Sequence, residues 1–184
     1  YIHDDWKKPN PERRRVMQAA RKAWVSDHQT SIHDAMVNCI RAAQAYIYIE
    51  NQFFISACGT DIRGTCHPAE NEIIAELANA IGQAINAGQP FHVWLVLPEH
   101  AEGMLEADAT ASQAWWALQG IKHGSESLIN RINAIILKKN RKKWGVDKPV
   151  QSSQDVRDVL QVHGMESKWR EYLTVLNVRN YGQT

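Results

Sequence analysis

The chain has 184 residues, of which 44% are hydrophobic and 22% charged, a composition typical of a globular protein with one buried core. Its formal net charge of +1 provides no overall attraction to nucleic acid. No run approaches the roughly 18 consecutive apolar residues of a membrane span, so any contact with a membrane is expected to be peripheral.

The first fifty residues predict two helices and a strand. Pro11 is typical of the first position of a helix, and residues 12–25 follow as a predicted helix. Apolar residues at helical spacing predict an amphipathic helix over residues 31–44, with Cys39 on its buried side. Residues 46–49 are uninterrupted in apolar character, which predicts a strand buried on both faces, as in a parallel sheet.

A second helix and a second strand complete a βαβ unit. Pro68 opens a helix with apolar residues on one side, and Gly88 stops it. The run FHVWLVL at residues 91–97 predicts another buried strand. Because a helix joins the two strands by short links, we expect them to lie in one sheet with a right-handed crossover. The sheet is therefore at least partly parallel.

The rest of the chain predicts a loop, further helices and a last strand. Beyond Pro98 the pattern loosens into a loop, and later a polar, basic stretch predicts a surface excursion. The predicted segments are the loop 99–111, helices near 115–122, 125–139 and 155–162, the excursion 141–153 and a strand at 173–178. The whole chain, residues 1–184, is expected to form a single α/β unit with a partly parallel sheet flanked by helices.

Polar side chains follow both predicted strands of the βαβ unit. The first strand is followed by Glu50, Asn51 and Gln52, and the second by Glu99 and His100. Ligands bind beyond the carboxyl ends of strands in open parallel sheets, so these residues are expected to face one crevice. A second interpretation stays equally open, in which the two amides bond loop backbone and Glu50 pairs with a basic residue.

Two of the three cysteines lie in a glycine-rich loop. Cys58 and Cys66 flank the sequence GTDIRGT, and their spacing allows a small disulfide if the protein works outside a reducing cytosol. The alternative is a pair of free thiols. The three cysteines match no standard metal or redox motif.

The segment SIHDAMVNCIRAAQAYIYIENQFFIS resembles the region between the two catalytic motifs of eukaryotic-type phospholipase D enzymes, above all in the words IYIENQFF. VWLVLPEHAEG is similar to the next strand of that family and the acidic, glycine-containing loop after it. The resemblance covers residues 31–132 well and the C-terminal part by element order only.

The resemblance implies a fold of two similar α/β halves that meet at one active site, each giving one H-x-K-x-x-x-x-D motif. One histidine attacks phosphorus to form a phosphohistidine, and the other protonates the leaving alcohol and then activates water. The scheme requires no metal and no cofactor. This chain matches the opening of the second half.

The catalytic motif itself is absent from the sequence, because no histidine has a lysine two places later. The residues at that position after the eight histidines are Asp5, Thr30, Ala35, Ala69, Trp94, Glu102, Ser125 and Met165. The chain is therefore interpreted as a fragment of a phospholipase D catalytic domain that lacks both motifs and is inactive alone. Its expected partner is the remainder of that domain.

Within that interpretation the polar residues after the strands would position the catalytic motifs. Phe53 and Phe54 would meet acyl chains in the substrate crevice, or else pack in the core, which is the interpretation we favour. The parent would hydrolyse glycerophospholipids to phosphatidic acid and a free headgroup. It would act peripherally on phospholipid membranes, with no nucleic-acid partner, and a bacterial effector that is secreted or delivered to the periplasm would fit.

The alternative is a non-catalytic module with a degenerate phospholipase D fold that binds phospholipid or protein. A nuclease-like phosphodiesterase of the same superfamily is disfavoured by the near-neutral charge.

Overall fold

The computed structural model describes residues 30–66, 69–98, 108–147 and 150–178. The predicted helix over residues 12–25 lies outside them. The elements, in chain order, are α1 (Ser31–Ala42), β1 (Tyr46–Glu50), α2 (Ile73–Ala87), β2 (His92–Pro98), α3 (Asp108–Leu118) with a π-helical turn (Gln119–His123), α4 (Leu128–Asn140), α5 (Ser153–Val162), a 3-10 turn (Lys168–Glu171) and β3 (Leu173–Val178).

The chain divides into two units, Tyr1–Ala35 and Met36–Thr184. In the first unit the described residues hold the start of α1, where Thr30 Oγ1 donates to Asp34 Oδ2 at 2.7 Å. The backbone N–H of Asp34 also donates to Thr30 O at 2.8 Å. The second unit contains the sheet and the other described helices.

In the part of the chain that the structure describes, the sheet has three parallel strands in the order β1-β2-β3, which confirms the predicted α/β class with a parallel sheet flanked by helices. The central strand β2 pairs with β1 through Ile49 and Leu95 and with β3 through Leu95 and Val175. The His92 ring strengthens the β2 and β3 junction, since its two nitrogens contact Glu171 O at 2.9 Å and Thr174 Oγ1 at 2.8 Å.

Buried residues of β2 and β3 form one hydrophobic core with residues of α2, α4 and α5, and α4 contacts both α2 and α5. Apolar residues of α2 recur at intervals of three and four, so they form one stripe that faces the sheet. Gly88 ends α2 at φ +67°, the left-handed conformation that favours glycine, as predicted. The largest side chains with no more than 1% exposure are Ile74, Leu77, Ile81, Leu95, Leu128, Ile132, Leu160 and Leu173.

On the opposite face of the sheet the side chains of the two outer strands are exposed, and we call them the open face: Tyr46, Tyr48, Glu50, Leu176 and Val178. Val96 of the central strand lies on the same face and is 6% exposed. Tyr46 is 63% exposed and Val178 57%. The prediction that β1 is buried on both faces is therefore wrong. The reason is that, among the described residues, β1 has one neighbouring strand and the core helices cover only one face.

The helix α1 buries Val37 and Ile40, whereas Cys39 is exposed, so the prediction of a core Cys39 is wrong. A second difference concerns the predicted loop at residues 99–111, because α3 already begins at Asp108. The last strand has the predicted bounds, Leu173–Val178. Within the described residues, no helix combines the length and apolar character that crossing a bilayer requires.

Candidate functional site

The carboxyl end of β1 lies beside the later residues of β2. Glu50 is aligned with Val96, and the N–H of Asn51 donates to Val96 O at 3.2 Å, so the pairing continues one residue past the strand. The described part of β2 ends at Pro98, and β3 runs parallel to it as far as Val178. The three carboxyl ends therefore meet at one edge of the sheet, the edge at which ligands of open parallel sheets bind.

Glu50 occupies the end of the open face. Its Oε2 accepts a hydrogen bond from the Tyr48 hydroxyl at 2.8 Å, and both side chains are exposed. This hydrogen bond to the carboxylate raises the pKa of Tyr48, with burial and the charge of Glu50 adding to the effect. The bond fixes Glu50 on the face that the core helices leave uncovered.

Asn51 and Gln52 are exposed where the chain leaves the sheet. Asn51 Oδ1 accepts a hydrogen bond from the N–H of Gln52 at 2.9 Å. A hydrogen bond between an amide side chain and the loop backbone is the second interpretation that the sequence left open. This contact orients the Asn51 side chain through its oxygen. It is compatible with a positioning role, because the amide group of asparagine both accepts and donates.

Phe53 and Phe54, the two phenylalanines after the strand, differ in burial. Phe54 is 5% exposed and belongs to the hydrophobic core, which is the packing role favoured from the sequence. Phe53 is half-buried. Glu99 and His100 lie outside the described residues, so their place in a shared crevice stays a prediction.

The segment after Phe54 is bonded to the start of α2 through Ser56 and Asn71, two residues that no sequence pattern predicted to have this role. Ser56 Oγ donates to Asn71 O at 2.9 Å and accepts from the N–H of Ile74 at 3.2 Å. Asn71 Nδ2 donates to Ile55 O at 3.0 Å. These bonds hold the segment from the sheet edge in place.

The glycine-rich loop folds around the carboxylate of Asp61. Its Oδ1 accepts the N–H groups of Arg63 and Thr65, both at 2.8 Å, and Asp61 is 7% exposed. Burial opposes ionisation, but these backbone bonds, with a hydrogen bond from the Trp115 side chain and the charge of Arg63, together lower the pKa of Asp61. An aspartate three residues before Gly64 is a turn signal that could have been read from the sequence.

The same loop docks on residues 124–126. The N–H of Ser125 donates to Thr60 O at 2.8 Å, the N–H of Glu126 donates to Cys58 O at 2.9 Å, and the N–H of Thr60 donates to Ser125 Oγ at 2.9 Å. No sequence signal links positions so far apart in the chain. The contact makes the loop a rigid part of the second unit.

Cys58 and Cys66 are separate thiols in this structure. Cys58 is 2% exposed, and burial raises its pKa, aided by the charge of Asp61, whereas Cys66 is exposed. A bridge between Thr60 and Cys66 closes the loop through backbone pairing. A disulfide in an oxidising compartment stays a prediction. The described residues bring together no group of three or more histidine, cysteine or carboxylate side chains that could hold a metal ion.

The sequence model of one protein family, described as Phospholipase D, matches residues 11–147, which is 137 of the 184 residues. The chain is 38% identical over 101 residues to phospholipase D beta 1 of Arabidopsis thaliana, a match of 53% of this chain and 9% of that protein. It is 37% identical over 76 residues to phospholipase D1 of Cricetulus griseus (41% and 7%) and 32% identical over 108 residues to phospholipase D alpha 1 of Nicotiana tabacum (56% and 13%). The matched segments thus span about a tenth of the length of these relatives.

Proposed function

This chain belongs to the phospholipase D family, and on that premise we propose that it is a fragment of an enzyme that hydrolyses glycerophospholipids to phosphatidic acid and a free headgroup. The reaction passes through a phosphohistidine intermediate formed in the full-length parent. The observation that carries the proposal is the pairing of β1 with β2, which holds Glu50 and Asn51 at the carboxyl edge of a parallel sheet in a chain of this family.

The chain contributes positioning groups, and the parent contributes the catalytic histidines. No histidine in this sequence is followed two places later by lysine, so the chain has no candidate for the group that attacks phosphorus. The open face is where the remainder of the catalytic domain packs, because parallel sheets are normally covered on both faces. Glu50 lies at the end of that face, next to the site that the parent completes.

The purified chain tests the proposal that it has no catalytic histidine of its own. Incubated with phosphatidylcholine, it should release no choline above a blank without protein. Choline release that is lost when one histidine, for example His92, is replaced by alanine would contradict the fragment interpretation, because it would place a catalytic histidine inside this chain.

Asn51→Leu in the full-length parent tests the positioning role. Leucine has similar volume and no hydrogen-bonding group, so kcat should fall about ten- to a hundredfold, the range found when an outer partner of an active-site group is lost. Asn86→Leu, at an exposed position of α2, is the matched control and should leave kcat unchanged. Asn51 is itself exposed, so the fold should survive. A parent that loses thermal stability while the folded fraction keeps its kcat would show Asn51 to be structural.

A non-catalytic module that binds phospholipid or protein is the second candidate, favoured by the missing H-x-K-x-x-x-x-D motif. The sequence of the parent decides between the two. Two such motifs flanking this segment in one polypeptide support the enzyme, and their absence supports the binding module. Peripheral action on membranes and delivery as a secreted bacterial effector belong to the same proposal.

A further inference from the structure

A cavity of about 540 Å³ lies against α4 and α5, and Asn133 forms part of its wall. Asn133 is 3% exposed, and its Oδ1 has no hydrogen-bond partner within the described residues. Buried polar groups in folded proteins are nearly always hydrogen-bonded, because an unbonded one loses its hydration and gains nothing in return. A buried amide without a partner on the wall of a cavity therefore indicates a ligand that bonds to it.

Asn130 shows that the wall around Asn133 is fixed. It lies three residues earlier on the same side of α4 and is 5% exposed. Its Nδ2 donates to Gly124 O at 2.8 Å, and its Oδ1 accepts from Arg157 Nη1 at 2.8 Å. Arg157 Nη2 also donates to Gln154 Oε1 at 2.7 Å. The amide of Asn130 is thus used by the fold, whereas the amide oxygen of Asn133 is not.

The charges around the cavity balance one another. Lys122 and Arg157 are the cationic groups of the lining, and Asp158 and Glu166 are the anionic ones. Burial, with the charges of Lys122 and Arg157, lowers the pKa of His123, so this ring adds no charge at neutral pH. A ligand with a net charge would lose hydration on entry without meeting a surplus of the opposite charge. The cavity therefore favours a neutral ligand.

The rest of the lining adds apolar surface to these polar groups. Leu160 is fully buried and Ile129 is 8% exposed, and both line the cavity together with half-buried Trp169. The Arg170 guanidinium lies 4.5 Å from the centre of the Trp169 ring and so covers one face of it. A cyclic sugar carries hydroxyls around its edge and C–H groups on its faces, which matches a lining that combines amides with aliphatic and aromatic surface.

We propose that this cavity binds a neutral sugar, with a hydroxyl bonded to the amide of Asn133 and C–H groups packed against Trp169. A hydroxyl both donates and accepts, so it can bond either end of the amide. The volume of about 540 Å³ is within the range of small-molecule sites, about 300 to 1,000 Å³. The inference goes beyond the proposed function and does not depend on it, because every residue it uses belongs to this chain.

Isothermal titration calorimetry of the purified chain with methyl β-galactoside tests the cavity. We expect saturable binding, and weaker binding of galacturonate and galactosamine, which carry a negative and a positive charge. No saturable binding of the galactoside, or tighter binding of both charged sugars, would overturn the proposal. Uridine is neutral and flat, and a preference for uridine over the galactoside would overturn it in favour of a nucleoside site.

Asn133→Leu separates ligand binding from packing. Leucine has similar volume and no amide, so the affinity for the galactoside should fall about three- to tenfold, the loss of one hydrogen bond. The melting temperature should stay the same or rise, because an unpartnered buried amide is removed. Asn130→Leu breaks two hydrogen bonds and should lower it. Asn79→Leu, at an exposed position of α2 outside the cavity, is the control and should change neither affinity nor melting temperature. A lower melting temperature with unchanged affinity for Asn133→Leu would show that Asn133 serves the fold and would overturn the site.

Glu166→Gln tests the balance of charge, since it leaves the cavity with one surplus positive charge. It should improve binding of galacturonate relative to the galactoside roughly fivefold at low salt. Lys122→Gln should do the same for galactosamine. Both side chains are exposed, so the fold should be kept. Glu72→Gln, at an exposed position outside the cavity, is the control. Unchanged preferences in both cavity variants would contradict the proposal.

Vesicles that contain galactosyl diacylglycerol distinguish a sugar on a lipid headgroup from a free sugar. Co-sedimentation that methyl β-galactoside competes away, and that Asn133→Leu weakens, would assign the cavity to a headgroup. Binding of the galactoside in solution without co-sedimentation would assign it to a free sugar. The absence of both kinds of binding would overturn the proposal.

Discussion

Gly124 is the position where one added methyl group should undo the docking of the glycine-rich loop. A Cβ at Gly124 would lie 2.6 Å from Cys58 O, 2.9 Å from Gln119 O and 3.1 Å from Cys58 Cβ. The backbone of Gly124 has φ −55° and ψ 147°, which any residue adopts, so Gly124→Ala changes only the space available. Two of the three contacts are with backbone oxygens, which cannot rotate away as a side chain would.

Relief requires the loop and residues 124–126 to separate. That movement breaks the bonds from Glu126 N–H to Cys58 O and from Ser125 N–H to Thr60 O. Two hydrogen bonds at about 1 kcal/mol each, with about 1 to 3 kcal/mol for overpacking, give a loss of about 3 to 5 kcal/mol in the free energy of unfolding. For a chain of this size the melting temperature should fall by about 6 to 20 °C.

Urea denaturation followed by circular dichroism measures the loss, and amide hydrogen exchange at Ser125 and Glu126 reports the docking itself. Gly64→Ala is the matched control, since Gly64 has φ +80° and no atom within 4 Å of the added Cβ. It should lose only about 1 to 2 kcal/mol, the cost of a left-handed conformation. If Gly124→Ala is no less stable than Gly64→Ala and keeps its exchange protection, the loop does not dock as described.

Two further predictions concern the start of α5. Ser152 Oγ accepts the N–H of Asp155 while the Asp155 carboxylate accepts the N–H of Ser152, so Ser152→Ala should lower the free energy of unfolding by about 1 kcal/mol in urea denaturation. Ser153→Ala, one residue into the helix, should change it little, and equal losses would contradict the capping role. The Ser152 side chain, with the N–H groups of Ser152 and Gln151, lowers the pKa of Asp155. A lowered carboxyl pKa contributes stability that is fully present above about pH 4 and lost as the pH falls through the lowered value. Asp155→Asn should therefore reduce the loss of stability that occurs as the pH falls below about 4, and an unchanged loss would show that Asp155 is not responsible.

Strong local patterns predicted β2, β3 and the end of α2, whereas α2 begins at Ile73, later than the predicted start at Pro68. The apolar stripe of α2 and its stop at Gly88 belong to short stretches of sequence, and so does the run of β3. The burial of β1 could not be predicted in the same way. The same apolar run can occur in a central strand and in an edge strand, because the number of neighbouring strands is a property of the whole sheet.

The candidate site was predictable only where its residues are adjacent in sequence. The apolar run that ends in Glu50 and Asn51 marked the carboxyl edge of the sheet, and the structure describes those residues at that edge. The contact between Thr60 and Ser125 joins positions 65 apart, and no local pattern in either segment predicts this contact. The start of α3 was missed for another reason: residues 108–111 lack apolar periodicity.

The pairing of β2 with β3 also sets an order of assembly. Val93 lies opposite Leu173, 80 positions further along the chain, whereas Tyr46 of β1 lies opposite His92, 46 positions further along. Closing the longer loop costs more conformational entropy, so the β1-α2-β2 unit can form first and β3 is added last. During synthesis on the ribosome, one edge of β2 therefore stays unpaired until β3 has been synthesised. The contacts of His92 with Glu171 and Thr174 then form only when the sheet is complete, so slowed exchange of the amide of Val93, which donates to Tyr172 O at 2.8 Å, marks the final step of folding.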